Sequence, residues 1–184
     1  MDRFIRHATS VLAVITIGVA LTVFGFSEGW AQEKRTITYK IPAAISKYTQ
    51  QHVIDVGDVP GHQIRILEVH RTFSANPPVY EGVKAVEEWV RGSSDYINLN
   101  GRASGYGYLI LENGDKIFSR WDGTSQTTVN ADGSRRSTFN GVSTITGGTG
   151  KFRGIRGTLR ASIVFDPKAG LNEGQTEGEY WIEE

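Results

Sequence analysis

The sequence predicts an all-β fold, an eight-stranded antiparallel up-and-down barrel, and three observations predict it. From Ile64 onward, short segments rich in β-branched and aromatic residues are separated by glycine, asparagine and aspartate. Asn-Gly and Asp-Gly stand where two hairpins would turn. Few stretches carry a helical period. Consecutive hairpins close most simply as a barrel, which removes the edges a meander would expose, and two packed sheets are the competing arrangement.

The first 31 residues read separately. Arg3 and Arg6 precede an apolar run from Val11 to Phe26, and "SEGWAQ" places Gly29 and Ala31 at the small-residue positions of a cleavage site. This is the pattern of a secretory signal peptide, so a periplasmic or secreted protein is expected. A retained membrane anchor is the lesser alternative, because a span needs roughly 20 apolar residues. Residues 32–61 differ in texture from residues 62–184. "RTITYKI" suits an edge strand, "PAAISKYTQQ" a short helix or loop, and "DVGDVPGH" a turn, so 32–61 is expected to be an arm or lid and 62–184 the barrel domain.

Within 62–184, "HQIRILEVHRTF" alternates: Ile64, Ile66, Glu68 and His70 share one face, and Arg65, Leu67, Val69 and Arg71 the other. Neither face is purely apolar. "GVKAVEEWV" (82–90) reads as strand, with Glu87 and Trp89 opposed to Glu88 and Val90. "GYGYLILENGDKIFSRWDGT" (105–124) is a hairpin about its Asn-Gly, and "NADGSR" (130–135) turns a second one. The last strands are "GTLRASIVF" (157–165) and "TEGEYWIEE" (176–184).

Composition excludes several function classes. Lys and Arg number 20 and Asp and Glu 20, so no net charge attracts nucleic acid or an anionic membrane. Cysteine is absent, which removes disulfides and thiolate chemistry. His52, His62 and His70 fit no familiar metal spacing, and Asp55, Asp58 and His62 match no calcium loop, so neither metal nor cofactor is expected. The segment "TGGTGKFRGIRG" (146–157) is no phosphate loop, because Phe152 follows Lys151 where a hydroxyl residue is required. Nor is it a nucleic-acid clamp, since Glu173, Glu177 and Glu179 follow in hairpin order and can neutralise Lys151, Arg153, Arg156 and Arg160. It reads as a glycine turn between two strands, with Phe152 plugging one barrel end.

At this point "ITGGTGKFRGIRG", with the preceding "YGYLIL…GDKIFSR" hairpin and the final strand, resembles the allene oxide cyclase and dirigent superfamily. There a Gly-Gly-(Thr/Ser)-Gly-x-Phe-x-Gly-x-x-Gly run joins two strands of an eight-stranded barrel. Upstream of Glu81 the likeness is one of strand count alone. It implies a barrel of the allene oxide cyclase-like type whose cavity receives apolar or phenolic small molecules. Plant members cyclise an unsaturated fatty-acid epoxide or steer phenoxy-radical coupling. The glycine motif itself is architectural, and the family's catalytic residues are not carried over from it onto this sequence.

Candidate site residues are polar groups that alternation sets among apolar ones, since a buried charge needs a partner or a role. Glu68 and His70 share a strand face and would suit general acid/base work, or else both point outward. Glu68 or Glu88 would stabilise developing positive charge in a cofactor-free isomerisation or cyclisation. Arg120 and Asp122 would take a carboxylate-bearing ligand, unless Ile117 and Trp121 on the opposite face are the inward set. Trp89, Tyr106 and Tyr108 would line a pocket for an aromatic ligand, or belong to the core. Three outcomes remain open: an isomerase with inward charges, a carrier with a mostly apolar lumen, and a filled barrel acting through its surface, with self-association left open.

Overall fold

The computed structural model describes residues 33–131, 133–166 and 169–183, and these belong to one unit, Gln32–Glu184. Residues 1–31, where a signal peptide is expected, lie outside the described residues. Among them no helix is long and apolar enough to cross a membrane.

Ten strands form one antiparallel sheet: β1 (Arg35–Ile41), β2 (Ser46–Asp55), β3 (His62–Thr72), β4 (Val79–Tyr80), β5 (Val83–Ile97), β6 (Asn100–Leu111), β7 (Lys116–Val129), β8 (Arg135–Gly148), β9 (Ile155–Asp166) and β10 (Leu171–Ile182). The order is β1-β10-β9-β8-β7-β6-β5-β3-β2, with the short β4 paired to β5. The all-β antiparallel expectation holds, with ten strands where eight were expected. Residues 32–61 are no arm: they supply both edge strands, and "SKYTQQ" is extended where a helix or loop was expected. A single 3₁₀ turn, Ala43–Ile45, survives of that expectation.

Both hairpin signals are met. Gly114 takes φ 84° in the β6–β7 turn, and Gly133 φ 80° in the β7–β8 turn, conformations that cost glycine little. The glycine segment is a turn as read: β8 ends at Gly148, a 3₁₀ turn spans Gly150–Phe152, and β9 begins at Ile155. Two of its cations, and Arg160 just beyond it, meet partners within the chain. Lys151 Nζ donates to the Glu81 carbonyl at 2.8 Å, Arg156 pairs with Glu183 at 3.2 Å, and Arg160 stands opposite Glu177.

The sheet curls strongly. Its two edges, β1 and β2, are consecutive in the chain and joined by residues 42–45 alone, a span of at most about 18 Å. A flat sheet of this order would hold them roughly 38 Å apart. Side chains bridge the two ends, since Asn172 of β10 donates to the Tyr48 hydroxyl of β2 at 3.1 Å. No backbone ladder joins β1 to β2 among the described residues. On the concave side one end is packed solid: Tyr80, Phe152 and Ile155 are each 0% exposed, with Leu111, Ile145 and Tyr180 beside them.

Candidate functional site

Toward the other end the interior is hollow, with a cavity of about 140 Å³. Alternation decides which side chains reach it. β3 contributes Arg65, Leu67, Val69 and Arg71, β7 contributes Ser119 and Trp121, and β9 contributes Leu159, Ala161, Ile163 and Phe165. On β5 a bulge between Ala85 and Glu87 inserts one residue and reverses the phase, so Glu88, Val90 and Ser94 point inward rather than Glu87 and Trp89.

Two large rings lie flat on this concave face because glycine leaves them room. A Cβ on Gly105 would stand 2.7 Å from the indole of Trp121, which also covers Gly92, and a Cβ on Gly123 would stand 2.6 Å from the ring of Phe139. The two rings meet edge to face, 5.6 Å between centres, a favourable aromatic arrangement. Space remains in front of them. The cavity reaches solvent beside β2, where its lining residues His52 and Val53 are exposed.

At the packed end of the cavity stands an inward ion pair. Arg71, 5% exposed, donates from Nη1 to Glu88 Oε2 at 2.5 Å, from Nη2 to Asn172 Oδ1 at 2.9 Å and from Nε to Ser46 Oγ at 3.2 Å. Burial raises the Tyr39 and Tyr48 hydroxyls above the ordinary phenol range, so both face this network as neutral groups. Burial also pushes Tyr96 up to about 12, against the hydrogen bond it shares with Ser125.

Of the candidates named from sequence, Glu88 alone lines the cavity. Glu68 and His70 stand on the outer face and serve different partners. Glu68 accepts from Thr49 Oγ1 and from Arg91 Nε, both at 2.6 Å, and these two bonds hold its carboxyl below the usual range. His70 lies 3.1 Å from Glu87 and stacks on Trp89 with ring centres 4.1 Å apart. Trp89 is therefore outside too. Tyr106 is 70% exposed, Tyr108 lies beneath the cations of Arg91 and Lys116, and no ion pair joins Arg120 to Asp122 among the described residues; both are exposed. On β7 the inward set is Ile117, Ser119 and Trp121.

Sequence reasoning missed Arg65, Ser94, Asn172 and the role of Arg71. The signal available was the pattern Arg-x-Leu-x-Val-x-Arg, apolar at its centre with a cation at each end, on the face of β3 opposite Glu68. A second signal was "RASGYGY", where Ala103, Gly105 and Gly107 alternate with Arg102, Ser104, Tyr106 and Tyr108. On a tightly curled sheet the small residues face the crowded concave side.

Fold and site together define an antiparallel all-β protein whose curled sheet encloses a small cavity. No family model matches the sequence, and no curated protein matches it. Among solved structures the chain is similar to that of a pterocarpan synthase dirigent protein, at 14% identity and a TM-score of 0.44, over 94% of this chain and 100% of that one. Three histidine or acidic side chains gathered for a metal are not found among the described residues.

Proposed function

We propose that the sheet shuts into a barrel and that its lumen holds one small apolar or aromatic molecule, without a cofactor. The cavity of about 140 Å³ on the concave side of the curled sheet carries this reading. A comparable dry cavity of about 150 Å³ in another protein accepts benzene, so the size suits a single ring. Burial of the ligand's apolar surface against Leu67, Val90 and Leu159 supplies the attraction. The leader pattern in 1–31 supports a setting outside the cytoplasm for this binding.

Holding a molecule is favoured over converting it. Glu88 is the inward carboxylate, and the Arg71 guanidinium already cancels its field, which leaves little negative potential for a cationic transition state. The isomerase or cyclase reading rests on Glu88 facing the lumen. The exposed Ile54, Ile64 and Ile66 favour a surface role instead.

The test is to fill the lumen. Ala161→Phe projects a ring into the cavity from β9. Titration of toluene by calorimetry is expected to show binding in the wild type and none in the variant, with both proteins folded. Equal heats in the two proteins would place the ligand elsewhere.

A further inference from the structure

The cavity has a second polar region, and unlike the first it is incomplete. Three buried side-chain atoms line it with no hydrogen-bond partner in the protein: Arg65 Nε, Ser94 Oγ and Trp121 Nε1. They are neighbours. Arg65 and Ser94 are direct cross-strand partners on β3 and β5. Gly92, the next inward residue before Ser94, lies under the Trp121 indole. Ser94 is only 4% exposed, and a polar group buried without a partner loses its hydration with nothing in return.

The chemistry of the three atoms says what is missing. Two can only donate, and the third, a hydroxyl, is bonded to neither of them. The absent partner is therefore an acceptor with several lone pairs. Its charge follows from Arg65, whose Nη2 donates at 2.6 Å to the neutral amide oxygen of Gln63. No carboxylate pairs with that guanidinium among the described residues, whereas Arg71 has Glu88. One uncompensated cation among apolar walls suits a monoanion, because a second negative charge would be buried without a partner. A carboxylate offers two oxygens and about four acceptor sites, enough for all three donors.

Resting on the lumenal binding proposed above, we infer that the ligand is a small aromatic carboxylate, one flat ring bearing one carboxyl group. Its oxygens accept from Arg65, Ser94 and Trp121, and its ring lies against Phe139 and Leu67.

Sodium benzoate, benzamide and toluene, titrated calorimetrically into the full chain, test this. Benzoate is expected to bind about tenfold or more tightly than benzamide, as a charge-assisted bond requires. Arg65→Met should abolish that preference, and Arg65→Lys, which keeps the charge, should retain part of it. The Trp121 indole N–H resonance, assigned through Trp121→Phe, should shift with benzoate more than with toluene. Equal affinity for benzoate and benzamide, with toluene still bound, would overturn the carboxylate and leave the lumenal reading standing, the donors then being met by water alone. Failure of all three probes to bind would overturn both.

Discussion

Arg65 and Arg71 lie on the inner face of one strand and face one cavity, yet their surroundings are opposite. Each nitrogen of Arg71 has an acceptor supplied by Glu88, Asn172 or Ser46, and the side chain is buried. Arg65 spends one bond on an amide and leaves Nε unpaired, in a cavity that the unpaired Ser94 hydroxyl and Trp121 indole also line. The first arrangement is complete within the chain and belongs to the fold. The second is left incomplete by the chain itself, and it is there that the proposed ligand would complete it.

The comparison can be broken most severely at Arg71. Arg71→Met strands Glu88 in the interior and is expected to cost about 3–5 kcal/mol in urea denaturation, with the double variant Arg71→Met/Glu88→Leu recovering most of it. If the single variant costs under about 1 kcal/mol, that end is not structural. Next in size is Gly92→Ala, whose methyl would run into the Trp121 indole and the Ser104 carbonyl. A loss of about 1–3 kcal/mol is expected, with a shift in tryptophan emission as the indole is pushed into the lumen. An unchanged emission spectrum would mean the indole does not rest on that glycine.

Smaller still is Ser94→Ala. Removing an unpaired hydroxyl is expected to leave unliganded stability within about 1 kcal/mol of the wild type or slightly higher. A clear destabilisation would show that Ser94 has a structural partner. The smallest effect is expected just outside the cavity, where His62 bridges Asp58 at 2.6 Å and Asp95 at 2.7 Å, tying the start of β3 to β5 beside Ser94. Asp95 and Asp58, as acceptors for the imidazole N–H groups, raise the His62 pKa above its ordinary 6.5. The folded state therefore holds the proton more tightly than the unfolded chain. The clamp's contribution is full below the unfolded value and fades as pH climbs through the raised folded one. Urea midpoints should decline across that window in the wild type relative to His62→Gln, and parallel profiles would exclude the clamp.

Much of the strand framework was legible because its signals are local. "ENGD" and "NADGSR" specify turns by backbone conformation, and β3 alternates over its whole length. Which face points inward was harder. On β7 both faces mix charge, aromatic and hydroxyl groups, so Arg120 and Asp122 competed evenly with Ile117 and Trp121. Only the sheet's curvature, a property of all the strands together, settles it. The bulge in β5 is equally invisible, and one inserted residue exchanges Glu87 and Glu88 between outside and inside. β2 escaped because "SKYTQQ" lacks apolar alternation, and it is held by register with β3 and by the Tyr48–Asn172 bond.

The plug of Tyr80, Phe152 and Ile155 gives the interior a floor, while the exposed His52 and Val53 stand at its rim. With that end plugged, a molecule held in the cavity as proposed would leave past His52 and Val53, so how long it stays would be set by the β2 side of the opening, and slowing or hastening the movement of β2 would change residence without touching a single contact inside.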